Sequence, residues 1–165
     1  MPPQNIIIFT DSISQTTRTT VNIKMTDLCG HWKLEKNENM DEYMQAVGVG
    51  FALRKIVSKL SSYTNIQVDE SGTWTLDITS TFKNIHLQFK LGEEFDETTG
   101  DGRHMKSTFT VEDGALKQIQ RATKSGGVDS IIIRKLQEDG TMIATLEAVD
   151  KNVIGTRSFV RHEKS

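Results

Sequence analysis

The chain has 165 residues, of which 36% are hydrophobic and 25% charged, the size and composition of one domain able to enclose a core or a cavity. Lys and Arg total 20 against 22 Asp and Glu, a net charge of -2, which offers no field for a phosphate backbone and argues against nucleic acid as a partner. The single cysteine, Cys29, excludes an internal disulfide framework and suits a reducing compartment.

In chain order, residues 1–24 differ in texture from the rest, with Pro2, Pro3 and a Ser/Thr-rich run from Thr10 to Thr20, and read as a flexible extension before a domain over 25–165. The apolar run Ile6 to Phe9 is too short for a secretory core and has no basic segment before it. A cytoplasmic protein, with the nucleus also open to it, is the expectation. Met25 is a second candidate start, which leaves the extension open to being a gene-model or isoform feature. A first strand runs through Trp32 and Leu34. Asn39 ahead of Met40, Asp41 and Glu42 then predicts a side-chain N-cap and a helix with the apolar stripe Met40, Tyr43, Met44 and Val47. After Gly48 and Gly50, a second stripe of Leu53, Ile56, Val57 and Leu60 predicts another helix, with Arg54, Lys55 and Lys59 on its opposite side.

From Tyr63 onward the period of two takes over. Alternating runs recur at Trp74 to Thr79, Ile85 to Leu91, Met105 to Val111, Leu116 to Ala122 and Thr141 to Ala148. Between them stand turn signals at Glu70-Ser71-Gly72, Gly100-Asp101-Gly102, Glu112-Asp113-Gly114, Ser125-Gly126-Gly127 and Glu138-Asp139-Gly140. So many antiparallel strands with one helix pair predict a barrel capped by the helices, with a sandwich as the alternative.

Two charges interrupt the most strand-like stretches. A period of two puts Arg134 on one face with Ile132 and Leu136, and Arg157 with Val153, Gly155 and Phe159. Pattern alone leaves Ile131 and Ile133 as an equally good inward set. If the arginines do face inward they stay charged and require a carboxylate or water as partner, and that partner could be a ligand.

The segments Gly30-His31-Trp32-Lys33-Leu34, Asn39-Met40-Asp41-Glu42-Tyr43-Met44 and Gly48-Val49-Gly50-Phe51 resemble the opening of the intracellular fatty-acid-binding protein family of the calycin superfamily. Ser80-Thr81-Phe82-Lys83-Asn84, Phe89 to Thr98, Asp101-Gly102-Arg103 and Lys106-Ser107 resemble its middle hairpins, so the likeness covers about Met25 to the C-terminus. The resemblance implies an all-β fold, a ten-stranded antiparallel up-and-down β-clam barrel with a helix-turn-helix lid after the first strand, binding one lipid inside. It implies a monomeric carrier of a long-chain fatty acid or other small hydrophobic carboxylate, held by two inward arginines and a tyrosine. The matching positions are Arg134, Arg157 and Phe159, so the tyrosine is replaced by a ring that cannot donate a hydrogen bond.

The resemblance further implies wall positions at Met142, Ala144 and Leu146, and an entrance at Met40, Tyr43, Met44, Val49, Leu53 and Phe82. For Phe82, plain packing and gating are equally good readings. The basic face of Arg54, Lys55 and Lys59 is a candidate for transient contact with anionic membranes, against the commoner reading of a solvated face. Leu53-Arg54-Lys55-Ile56, the loop around Ser125 to Val128 and Phe159-Val160-Arg161 resemble the cellular retinoic-acid-binding branch, which keeps a retinoid as the alternative ligand.

Other classes have less in the residues. The histidines His31, His86, His104 and His162 lack metal-ligand spacing, and Cys29 with His31 lacks a third orienting group, so no catalytic residue, metal or cofactor is expected. The acidic stretch Asp96 to Asp101 lacks the oxygen series of a calcium loop and reads as a solvated hairpin. An interaction module, built on the basic helix or the N-terminal extension, is the alternative from a different class.

Overall fold

The structure, a computed structural model, describes residues 24–163, so the extension expected over 1–24 lies outside the described residues but for Lys24. A 3-10 turn at Met25–Leu28 leads into β1 (Gly30–Glu38), followed by the helices α1 (Met40–Ala46) and α2 (Phe51–Val57). Nine further strands follow: β2 (Ser62–Val68), β3 (Thr73–Ser80), β4 (Ile85–Lys90), β5 (Phe95–Thr98), β6 (His104–Glu112), β7 (Ala115–Ala122), β8 (Ser130–Leu136), β9 (Met142–Ala148) and β10 (Val153–Arg161). All join one antiparallel sheet in the order β4-β3-β2-β1-β10-β9-β8-β7-β6-β5. Pairing of the first and last strands curls the meander into a nearly closed barrel, the expected architecture.

The expected turns supply the reversals. At Asp113-Gly114 both residues have positive φ, 49° and 74°, directly between the paired residues Glu112 and Ala115, which is the geometry of a two-residue hairpin. Only β4 and β5, neighbours in the chain, do not pair. Side chains span the gap instead: Phe89 of β4 stacks on Phe109 of β6 with centroids 3.7 Å apart, and Phe95 of β5 lies parallel to both. Trp32 and Leu28 are fully buried at the start of β1, with the Trp32 Nε1–H donating to Leu28 O at 2.9 Å. The Arg161 guanidinium lies 4.0 Å over the Trp32 ring and ties the carbonyls of Cys29 and Asp27 to β10.

Three local expectations are corrected. Asn39 does precede α1, but it is left-handed (φ 54°) and makes no side-chain cap; its Nδ2 donates to Ile154 O at 2.8 Å, a strand contact that outcompetes the cap. On α2 the helix ends at Val57, Ile56 is exposed, and no residue of the helix is fully buried. Arg54 is not on the free basic face: its Nε donates to Asp41 Oδ1 at 3.0 Å and its Nη1 to Val49 O at 2.9 Å, turning it back onto α1.

The close approach of α1 to the sheet depends on Gly155 in β10. A Cβ there would meet Met40 Sδ at 2.7 Å and Tyr43 Cβ at 3.1 Å, so a bare backbone lets the helix settle.

Candidate functional site

Burial in β8 alternates as expected, and the inward set contains the arginine: Ser130, Ile132 and Arg134 are buried while Ile131 and Ile133 are half-exposed. Arg134 lies between Leu116 of β7 and Ala144 of β9, with the Phe109 ring 6.0 Å from its guanidinium carbon. Burial pushes its pKa down to about 10, with Glu97 opposing and Arg157 adding to the fall, so it remains charged at neutral pH.

The nearest compensation is indirect. Arg134 Nη1 donates to Gln118 Oε1 at 3.0 Å, and Gln118 Nε2 in turn donates to Glu97 Oε2 at 2.8 Å. Glu97 also accepts from Gln120 Nε2 at 2.9 Å and from the Ser107 hydroxyl at 2.5 Å. A buried carboxylate is thus satisfied by three neutral donors, and an amide stands between it and the cation. Glu97 corrects the reading of Asp96 to Asp101 as a solvated hairpin, because Phe95–Thr98 forms β5 and its alternation turns Glu97 inward.

Arg157 enters the same cavity from β10. It pairs in register with Asn37 of β1, and its Nε donates to Asn37 Oδ1 at 3.0 Å. Burial lowers its pKa, with Tyr43 opposing. Neither Arg134 nor Arg157 has a carboxylate within ion-pair distance among the described residues. Phe159, two residues beyond Arg157, is buried but does not line the cavity.

The cavity encloses about 200 Å³. Of the expected entrance residues, Met40, Tyr43, Met44, Val49 and Phe82 line it; Leu53 packs half-buried against the core instead. Phe82 is 47% exposed. Of the expected wall, Leu146 lines the cavity, whereas Met142 and Ala144 are buried in the adjoining core. Lys55 and Lys59 are exposed. Tyr43 reaches deeper than an entrance position: its buried hydroxyl donates to Ser130 Oγ at 2.9 Å.

Sequence reasoning missed Glu97, Gln118, Gln120, Ser107 and Arg103. Their available signal was the period of two: Gln118 and Gln120 alternate on β7 with outward Lys117 and Ile119, as Arg134 does on β8. Among the described residues no cluster of His, Cys, Asp and Glu could hold a metal ion. Burial raises the Cys29 thiol above its usual range, which opposes nucleophilic use. The arrangement suits binding: an apolar enclosure with a few fixed polar groups and two cations without a directly paired carboxylate among the described residues.

Comparison with known proteins agrees with this fold. The profile of the lipocalin / cytosolic fatty-acid binding protein family matches residues 29–165. Fatty acid-binding protein homolog 6 of Caenorhabditis elegans is 44% identical over 135 residues, covering 82% of this chain and 97% of the relative. The sodium/calcium exchanger regulatory protein 1 of Doryteuthis pealeii is 41% identical over 135 residues, covering 82% and 96%. Among solved structures, the apo lipid binding protein 8 of Caenorhabditis elegans superposes with a TM-score of 0.80 at 33% identity, covering 86% of this chain and 99% of that one. A Schistosoma mansoni fatty acid binding protein in complex with arachidonic acid gives 0.77 at 34% identity, covering 85% and 99%. With its match extending over the whole barrel, the chain belongs to the lipocalin / cytosolic fatty-acid binding protein family.

Proposed function

We propose that this protein is a cytosolic, non-enzymatic carrier of a long-chain fatty acid, holding its carboxylate near Arg134 and Arg157 and its acyl chain in the barrel cavity. The observation that carries the reading is the interior charge. Arg134 and Arg157 share the cavity with one buried carboxylate, Glu97, whose oxygens accept from three neutral donors, while Arg103 and Asp101 there cancel as an ion pair. One monoanionic ligand brings the interior to neutrality. A neutral headgroup leaves a cation uncompensated, so an acid is preferred over an alcohol or ester. Fatty acid is favoured over retinoid because relatives at 44% and 34% identity are named for fatty acids, one of them in complex with arachidonic acid.

Division of labour follows from magnitudes. Each buried methylene contributes about 0.8 kcal/mol, so the chain supplies most of the affinity and the guanidinium groups set orientation. The cavity of about 200 Å³ is smaller than the roughly 300–1,000 Å³ typical of drug-sized ligands, so entry of a long chain requires side chains at the mouth to move. Met40 and Met44 suit that task, being unbranched and easily repacked. Phe159 keeps the packing of a ring without a donor, which leaves the headgroup to the arginines and water.

The experiment is a titration of delipidated protein with a fluorescent fatty acid, followed by displacement with matched acids and alcohols. Equimolar binding is expected, with acids favoured, and Arg157→Gln is expected to weaken acids by about tenfold or more while leaving alcohols nearly unchanged. Equal affinity of the parent protein for acid and alcohol would sink the charge-pairing reading. Absence of any lipid binding would point to an interaction module instead.

A further inference from the structure

Phe159 has no hydrogen to donate to a headgroup and does not line the cavity, so a neutral donor beside Arg134 and Arg157 comes from another residue. The amides of Gln118 and Gln120 are engaged, both donating to Glu97. Tyr43 is less confined. It reaches in from α1 and lines the cavity together with Arg103, Arg134 and Arg157. Its oxygen accepts from the Arg103 guanidinium, and it acts on those of Arg134 and Arg157 as well, so three cations gather around one hydroxyl.

The three cations are not equivalent. Arg103 is neutralised by Asp101, whose carboxylate oxygens accept from its Nε at 2.7 Å and its Nη2 at 3.3 Å. Arg134 and Arg157 remain the pair that a ligand carboxylate meets, and Arg103 holds the Tyr43 oxygen beside them.

The hydrogen of that hydroxyl decides the rest. Tyr43 donates to Ser130 Oγ at 2.9 Å. Two hydroxyls at this separation exchange roles by rotation alone: Ser130 then donates to Tyr43, whose oxygen has lone pairs for both Ser130 and Arg103. The Tyr43 hydrogen becomes available to a third partner. A carboxylate favours the exchange, because a hydrogen bond to an ionised acceptor is roughly twice as strong as one between neutral groups. An alcohol offers no such gain.

We propose that Tyr43 is the third headgroup residue of the site, donating its hydroxyl hydrogen to the carboxylate held by Arg134 and Arg157, and that through it a bound acid fastens α1 to the barrel. The inference rests on the reading of Arg134 and Arg157 as the carboxylate end. A hydroxyl adds a donor without adding charge, so one monoanionic ligand still brings the interior to neutrality. Because Tyr43 belongs to α1, which packs on β9 and β10, headgroup and helix become one hydrogen-bonded unit. Acids therefore differ from alcohols of the same length both in affinity and in how firmly they hold α1.

The test is competitive displacement of a fluorescent fatty acid from delipidated protein by hexadecanoic acid and hexadecanol, with amide hydrogen exchange measured on both complexes. Tyr43→Phe is expected to weaken hexadecanoic acid about tenfold and hexadecanol by less than about twofold, the retained alcohol also reporting an intact barrel. Ser130→Ala removes the competing acceptor and should keep the parent's preference for the acid within about threefold. In the parent, the amides of α1 should exchange more slowly with the acid bound than with the alcohol. That comparison needs no variant, and it decides the matter even if Tyr43→Phe fails to fold. A ratio of acid to alcohol unchanged by Tyr43→Phe, or equal protection of α1 in the two parent complexes, overturns the proposal. An equal loss of acid preference in Tyr43→Phe and Ser130→Ala also overturns it, because the effect then belongs to the seating of the helix and not to the donor. A parent that does not favour the acid defeats the charge-pairing reading and this inference together; a parent that does, with an unchanged ratio in Tyr43→Phe, defeats this inference alone.

Discussion

The helices α1 and α2 have the same length, 7 residues each, and apolar stripes of the same spacing, yet the barrel treats them differently. On α1 the residues Met40, Tyr43 and Met44 are buried against β9 and β10, over the bare backbone at Gly155. On α2 no residue is buried, and Phe51 and Ile56 stand 65% and 45% exposed. An amphipathic stripe states that a helix can bury a face, not that a surface exists to receive it. The sheet offers one berth above the cavity and α1 fills it, while α2 is tethered through Arg54 to Asp41 and to the Val49 carbonyl. An anchored helix and a loosely held one thus stand side by side.

The contrast breaks most readily on α1. Met44→Ala should cost about 2–5 kcal/mol in urea unfolding, as for other large-to-small changes in a core, whereas Ile56→Ala on α2 should stay within about 0.5 kcal/mol. Similar losses at the two sites would show that α2 is as firmly seated as α1. Gly155→Ala comes next: a methyl group against Met40 and Tyr43 should destabilise by about 1–3 kcal/mol, and faster amide exchange in α1 would trace the cost to its berth. Tyr43→Phe removes the donor to Ser130 and should cost about 1 kcal/mol in the same unfolding measurement, with α2 unaffected.

Smaller effects sharpen the comparison on the α2 side. Asp41 is half-exposed, so loss of its bridge in Arg54→Met should cost no more than about 1 kcal/mol. The same variant should nonetheless release bound fatty acid faster in stopped flow, since α2 then has lost both tethers; an unchanged rate would show that these tethers do not limit release. The smallest effect concerns acid. Burial raises the Asp101 carboxyl, but the Arg103 hydrogen bonds and charge outweigh it and hold the pKa below the usual range. A depressed folded-state value contributes stability above the unfolded-state pKa of about 3.9, and that contribution is lost as pH falls through the lower folded value. Asp101→Asn should therefore flatten the stability profile below about pH 4 and leave the slope near neutrality alone.

Much of the barrel was legible because its signals are local. Turn residues at Asp113-Gly114 and alternation through Ile131 to Leu136 need no knowledge of neighbours beyond their own strand. The inward turn of Arg134 was harder, since Ile131 and Ile133 satisfy the same period; only the position of β8 between β7 and β9 selects the face. Glu97 was misread because a strand of 4 residues inside an acidic run carries too little periodicity to stand out from a turn. The Asn39 cap failed for a related reason: its side chain found the Ile154 carbonyl, a partner 115 residues away.

Taken alone, the residues determined a meander of strands with two short helices, and two arginines in positions able to face inward, because period and turn chemistry are properties of neighbouring residues. The tertiary structure alone decided that Gln118 stands between Arg134 and Glu97, that Arg54 folds back onto α1, and that the Tyr43 hydroxyl reaches Ser130. Those outcomes depend on which side chains from distant strands meet in the closed barrel, and on the cost each buried polar group incurs when nothing meets it.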